Sequence, residues 1–175
     1  MVISCVEITK PGPLPFEITM GDELTLLQML QRYGVPFVII GGHAVNLHGY
    51  GRATEDVDVV WLRSADSEVA LLQALTVLDA KYIGQDVDPT TRLERTYPVT
   101  LAFVQASRLM MLVTRHGFLD LFDYVPGLPD ENVSQFLGAS VEVEGLRYAS
   151  LPWLRRMKRS SGRAKDLLDL ENLPE

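Results

Sequence analysis

The sequence predicts a mixed α+β fold: a mixed β-sheet flanked by helices, with a helical C-terminal end. Three observations predict it. Short apolar runs alternate with amphipathic stretches over the first half of the chain. Runs with strand character dominate the middle. The last 25 or so residues read as two helices.

Taken in order, residues 1–21 hold Pro11, Pro13 and Pro15 among β-branched residues and read as an N-terminal arm with room for one short strand. "DELTLLQMLQRYG" places Leu24, Leu27 and Leu30 at helical spacing, with Asp22 to cap the start and Gly34 to end it. "PFVIIG" is a short buried strand. Gly41 and Gly42 break it, and "HAVNLHG" forms a short helix that Gly49 and Gly51 terminate. "VDVVWL" is the second strand. "SEVALLQALTVLDA" is an amphipathic helix with Leu71, Leu72, Leu75 and Leu78 on one face, started by Ser64 or Asp66.

Residues 79–107 are the least legible. Tyr82–Ile83 and Val99–Val104 read as strands, with Asp86–Arg95 a loop between them. "RLMMLVTR" is a strand and "GFLDLFDYV" its antiparallel partner or neighbour. "VPGLPDEN" is rich in turn residues, and the alternating valines of "VEVEGLRYA" suit a strand near an edge. Ser150 and Pro152 start a helix, as N-cap and first-turn proline, and a second helix follows from Gly162 to Leu173. The expected division is an arm (1–21), a core (22–149) and C-terminal helices packed on that core (150–175).

Bulk properties narrow the function classes. Apolar residues make up 47% of the 175, enough for a real core, and 22% are charged. The net charge of −7 gives no global attraction to a polyanion, though it leaves room for a local basic site. With Cys5 as its one cysteine, the chain can form neither an internal disulfide nor a cysteine metal cage. The N-terminus has no basic stretch followed by an apolar run, and no segment approaches the ~20 apolar residues of a spanning helix, so a cytoplasmic protein without a membrane partner is expected.

The chemistry concentrates in "GGHAVNLHGYGRATEDVDVV", Gly41 to Val60. Asp56 and Asp58 lie inside an apolar run. Side chains alternate along a strand, so the two carboxylates share one face, while Val57, Val59 and Trp61 share the other. Two carboxylates that close repel and raise each other's pKa unless a cation lies between them. A divalent ion such as Mg²⁺ (or Mn²⁺), held by one or two carboxylates plus substrate phosphates, meets that need. Gly41 and Gly42, between strand and helix, let backbone approach a ligand and suit a phosphate. A phosphate cradle followed by two metal-binding carboxylates is the equipment of phosphoryl or nucleotidyl transfer.

Gly-Gly, thirteen residues, then "DVD" resembles the signature of the DNA polymerase β-type nucleotidyltransferase superfamily. The wording is similar to its minimal bacterial branch of abortive-infection and toxin–antitoxin toxins and small antibiotic nucleotidyltransferases. The resemblance implies the nucleotidyltransferase fold. It also implies a third carboxylate on a later strand, for which Asp120 in "FLDLF" matches and Asp123, three residues on, is the weaker choice. "LPWLRRMKRSSGRAKDLLDLENL" looks like the family's closing helices. Carried over, Lys158 reaches nucleotide phosphates, and Arg163, Lys165, Asp166 and Asp169 shape the far wall of a cleft.

On this resemblance Asp56, Asp58 and Asp120 are the metal-binding and catalytic residues. Gly41, Gly42, Arg52, Thr54, Lys158 and Arg163 form the nucleotide site, with Arg52 able to touch phosphate and Thr54 to fix the loop. The implied reaction moves a nucleoside monophosphate from an NTP to an acceptor hydroxyl of RNA, tRNA or protein, in a toxin with an antitoxin partner. A small antibiotic acceptor stays open, as does a non-catalytic binding protein of the same fold.

Other residues read as structural. His43 and His48, five apart, do not share one helix face as paired metal ligands do. His116 reads as a turn residue, and Trp61 and Trp153 as core. Arg155–Lys165 carries six of the sixteen basic residues and no acid, either as a solvated helix face or as a phosphate-facing patch. Asp166 and Asp169 are expected to pair with Arg163 and its neighbours.

Overall fold

A computed structural model describes residues 22–174. The expected arm at 1–21 and Cys5 lie outside the described residues. Helix α1 (Glu23–Arg32) leads to β1 (Phe37–Ile39), α2 (Gly41–Leu47), β2 (Asp56–Trp61) and α3 (Ala65–Val77). Then come β3 (Lys81–Val87), β4 (Glu94–Pro98), α4 (Leu101–Ala106), β5 (Leu109–Thr114) and β6 (Gly117–Phe122). The chain continues through α5 (Val133–Gly138), β7 (Val141–Val143), β8 (Leu146–Tyr148), α6 (Leu151–Ser161) and α7 (Ala164–Asn172).

The strands form one sheet in the order β4-β3-β5-β6-β2-β1-β8-β7. It is mixed: β2 runs parallel to β6 and β1 parallel to β8, while the other neighbours are antiparallel. The central strands read as near-continuous apolar runs because both faces are covered. On one face, Leu26 and Leu30 of α1, Leu71 and Leu75 of α3 and Val104 of α4 pack against Val57, Val59, Leu119 and Leu121. On the other, Ala44 and Val45 of α2, Phe136 of α5 and Leu154 and Met157 of α6 pack against Val38, Ile40 and Val60. Asp56 and Asp58 alternate with Val57 and Val59 and so belong to this second face.

Local chemistry sets several boundaries. Ser64 caps α3, and Ser67 returns a side-chain bond to the Ser64 N–H, closing a reciprocal box. Gly162 ends α6 in the left-handed region at φ 61°. His116 sits in the β5–β6 turn, where its Nδ1 bonds the Asp22 carboxylate. Asp22 therefore stands at the α1 N-cap position without a side-chain cap bond to the helix.

Some expectations are corrected. Val99–Val104 is not a strand: Thr100 accepts a hydrogen bond from the Phe103 N–H and starts α4, whose Val104 is buried while Phe103 stacks on Tyr82. A short apolar run does not distinguish a strand from a one-sided helix. The loop expected at Asp86–Arg95 is shorter, because β3 and β4 extend into it as a hairpin. "VEVEGLRYA" is two strands, turned at Glu144 and Gly145, both with positive φ. Helix α5, capped by Asn132, was masked by the turn residues before it. Leu24 is exposed, and Leu26 takes its place in the core.

Arg63 ties the corrected region together. Its guanidinium donates to Asp123, Glu68 and the carbonyls of Val104 and Ser107. Asp123 is thus a structural anion, held also by Arg108. Arg63→Ala is expected to destabilise the protein by about 2–3 kcal/mol, read from urea unfolding, because it removes one partner from each of two carboxylates and two carbonyls, leaving Asp123 to Arg108 and Glu68 to Gln105.

Candidate active site

Strands β2 and β6 run parallel with Asp58 directly opposite Asp120, and Asp56 opposite Phe118. Parallel pairing in this register places the two aspartates on one face of the sheet, side by side. Asp56 stands at the exposed start of β2 and Asp58 deeper. The three carboxylates named from sequence therefore share the sheet face turned toward α6 and α7.

The Gly41-Gly42 turn is folded over Asp58. The Ile40 N–H donates to the Asp58 carbonyl at 2.9 Å. Gly41 has φ +61°, and a Cβ there would lie 1.9 Å from Asp58 Oδ2. A Cβ on Gly42 would lie 2.5 Å from Thr54 Oγ1. Each glycine is required by a protein neighbour: Gly41 makes room for the Asp58 carboxylate, and Gly42 for the Thr54 side chain, whose hydroxyl donates to the Asp56 carbonyl at 3.3 Å. The loop between α2 and β2 is pinned further by Asn46, which exchanges two hydrogen bonds with the Arg52 backbone.

Opposite the sheet, α6 and α7 present a network of charges. Arg52 reaches Asp169 through two parallel hydrogen bonds of 2.7 and 2.9 Å. Lys158, 6% exposed, places its ammonium 2.7 Å from both Asp166 and Asp169. Asp166 also accepts from Ser161 Oγ and Arg163 Nε, each at 2.6 Å. Asp169 thus pairs with Arg52 and Lys158, and Asp166 with Arg163 and Lys158. Of the other cations in this basic segment, Arg155 donates to the carbonyls of Leu173 and Pro174. Arg156 pairs with Glu131 and covers Trp153. The segment is in large part internally engaged.

Between the two walls lies a cavity of about 370 Å³, whose lining includes Gly41, Asp58, Asp120, Lys158, Ser161 and Arg163. Phe122 and Gly127 also line it; neither was singled out from sequence, although the Pro-Gly turn at Gly127 was visible. Arg52 and Thr54 belong to the wall behind it through their contacts with Asp169 and Gly42. His48 bonds the Ala149 carbonyl. His43 is half-buried, its Nε2 without a hydrogen-bond partner among the described residues, and burial lowers its pKa. Trp61 is fully buried.

Electrostatics follow from this arrangement. Burial, then the neighbouring Asp56 charge, pushes Asp58 up to about 6, against the pull of Lys158, Arg163 and Lys165. Burial, then Asp58 and Asp56, pushes Asp120 up to about 7. At Asp166 burial pushes upward most strongly, but the bonds from Arg163, Lys158 and Ser161 together outweigh it and hold the carboxyl at about 2. One wall is short of positive charge, and the other sets three cations against two carboxylates.

Among the described residues no three His, Cys, Asp or Glu side chains gather into a preformed metal cage. Asp58 and Asp120 instead offer hard oxygen donors, crowded by like charge, with Asp56 at the rim. That donor set fits a Mg²⁺ or Mn²⁺ ion that keeps waters and takes substrate phosphate oxygens, not an all-protein site.

Two outcomes are expected. Gly41→Ala forces a Cβ onto Asp58 and strains a positive-φ position. It should cost about 2 kcal/mol or more in thermal or urea unfolding and weaken Mn²⁺ binding measured by titration. The second concerns pH. In metal-free protein Asp58 and Asp120 hold protons that the unfolded chain releases near pH 4, so stability should fall as pH rises from about 4 through 7. Asp166, held low, loses its contribution only in stronger acid and does not mask this trend. Asp120→Asn should flatten the fall and stabilise the metal-free protein at pH 8 by on the order of 1–2 kcal/mol, read from melting temperatures in chelator.

No protein-family model matches the chain, and no curated protein matches it. Among solved structures it is similar to a crystal structure described as a candidate nucleotidyltransferase from H. pylori, at 16% identity and TM-score 0.38, over 78% of this chain and 56% of that one. It is also similar to JHP933 from Helicobacter pylori, at 17% identity and TM-score 0.37, over 87% of this chain and 66% of that one. The chain thus spans between 56% and 66% of the length of these two structures.

Proposed function

We propose that the protein is a metal-dependent nucleotidyltransferase that moves a nucleoside monophosphate from an NTP to an acceptor hydroxyl. The observation that supports it most is the in-register pair of Asp58 and Asp120, set against a cavity whose far wall carries Arg163. A ligand that satisfies both walls brings cations to one side and anionic oxygens to the other. A metal-bound triphosphate has that polarity.

In this reading Asp56, Asp58 and Asp120 would hold Mg²⁺ or Mn²⁺, which would supply charge neutralisation at the phosphates and acidify the attacking hydroxyl. Gly41 keeps the Asp58 carboxylate at its place by leaving it room. Asp120, lining the cavity beside Asp58, is the residue that takes the acceptor's proton in this reading. The acceptor oxygen bonds to the α-phosphorus as the bond to the β-phosphate oxygen breaks, and pyrophosphate leaves. The protein's work is placement and charge stabilisation. RNA, tRNA or protein is the acceptor class we propose, in a toxin paired with an antitoxin; the family resemblance alone supports that context.

The test is transfer of label from each α-phosphate-labelled NTP, with Mg²⁺, into total cellular RNA and protein, with wild type beside Asp58→Asn. A labelled band in wild type, reduced by about a hundredfold or more in the variant, is expected. Label that appears only with antibiotics as acceptors would replace the macromolecular acceptor. No label with any acceptor would leave a non-catalytic protein of this fold.

A further inference from the structure

Lys158, one of the sequence-based candidates for phosphate contact alongside Arg52 and Arg163, is buried with its ammonium between two carboxylates that are themselves 1% and 0% exposed. An ammonium has three donors, and two are taken by anions at 2.7 Å. A phosphate reaching it would compete with both. Arg163 is placed differently. Its side chain is 76% exposed, it lines the cavity with Asp58 and Asp120, and it gives only Nε to Asp166. Neither of its Nη groups donates a hydrogen bond to the protein among the described residues, although the charge is felt by Asp58 across the cavity. A guanidinium offers five N–H donors in one plane, so fixing Nε on a buried anion fixes the direction of the remaining fork.

Asp166 is built for that holding role. Its Oδ1 takes the Lys158 ammonium, and its Oδ2 takes both Ser161 Oγ and Arg163 Nε. Three donors on one buried carboxylate leave it a single orientation. We propose that Asp166 is a positioning residue that aims Arg163 at a polyphosphate in the cavity, and that Lys158 is the internal tie that holds Asp166 and does not itself contact phosphate. This rests on the nucleotidyltransferase reading and assigns the anion-contacting group within it.

The test exploits a difference in sign. Asp166→Asn removes a negative charge beside an anion site. If Lys158 or Arg163 bound phosphate merely as nearby charges, losing that competitor would tighten binding. If Asp166 aims Arg163, binding weakens although the site becomes more positive. The measurement is calorimetric titration of the full chain with inorganic tripolyphosphate and Mg²⁺, with melting temperatures recorded for every variant. Asp166→Asn and Arg163→Gln should each weaken binding by about tenfold or more. Arg163→Lys should fail to restore it, since one ammonium does not both hold Asp166 and present a fork.

Should Asp166→Asn not fold, Ser161→Ala removes one of the three bonds without changing charge, and a smaller loss is expected from it. Unchanged or tighter binding in the Asp166 or Ser161 variant, or full rescue by Arg163→Lys, overturns the positioning role while the nucleotidyltransferase reading stands. Absence of binding in wild type overturns both.

Discussion

The register of β2 against β6 is the constraint on which the rest of the site depends. These strands are about 60 residues apart in sequence and pair in parallel, so nothing local fixes their alignment. The apolar alternation does. Val57 and Val59 must meet Leu119 and Leu121 on the face covered by α1 and α3, and a slip of one residue would turn those side chains to the opposite face. The core that satisfies this condition places Asp58 beside Asp120 as a by-product. Hydrophobic burial on one face thus sustains a like-charge contact on the other that would not persist unaided.

The two walls of the cavity show opposite solutions to buried charge. On the helical side Arg52, Lys158 and Arg163 alternate with Asp169 and Asp166, so each anion meets two cations and is held ionised. On the sheet side burial and mutual repulsion leave Asp58 and Asp120 partly protonated near neutrality. A structural ion network and an unsatisfied acidic pair are distinguished by this balance, not by the number of carboxylates. Asp123 makes the same point: though close to Asp120 in sequence, it is fully engaged by Arg63 and Arg108.

Much of this was legible in the chain. The Ser64 cap, the helix start at Ser150 and Pro152, the Gly41-Gly42 break and the alternation around Asp56 and Asp58 are short-range signals that survive translation into structure, whereas Asp22 and Ser150 hold the N-cap positions without making the side-chain cap bond. Glycine spacing pointed to a close approach, although what approaches Gly41 and Gly42 is Asp58 and Thr54. What the sequence concealed was long-range or ambiguous. Arg52 and Asp169 are 117 residues apart, and no local pattern pairs them. The basic run 155–165 reads alike whether its charges face solvent, substrate or buried acids, and here they divide among partners. The apolar run at 99–104 suits either a strand or a one-sided helix, and packing on Tyr82 decides for the helix.

The bidentate clamp between Arg52 and Asp169 also has a consequence for biosynthesis. The loop that leads into Asp56 and Asp58 leaves the ribosome long before α7, the last helix among the described residues. Until residue 169 emerges, the Arg52 guanidinium has no Asp169 carboxylate to grip, Lys158 lacks one of its two counter-charges, and the helical wall of the cavity is incompletely tied. A nascent chain can complete the sheet and its acidic pair while the opposite side is missing. Assembly of the cleft is therefore ordered in time, with the acidic half made first and closed by residues translated after it.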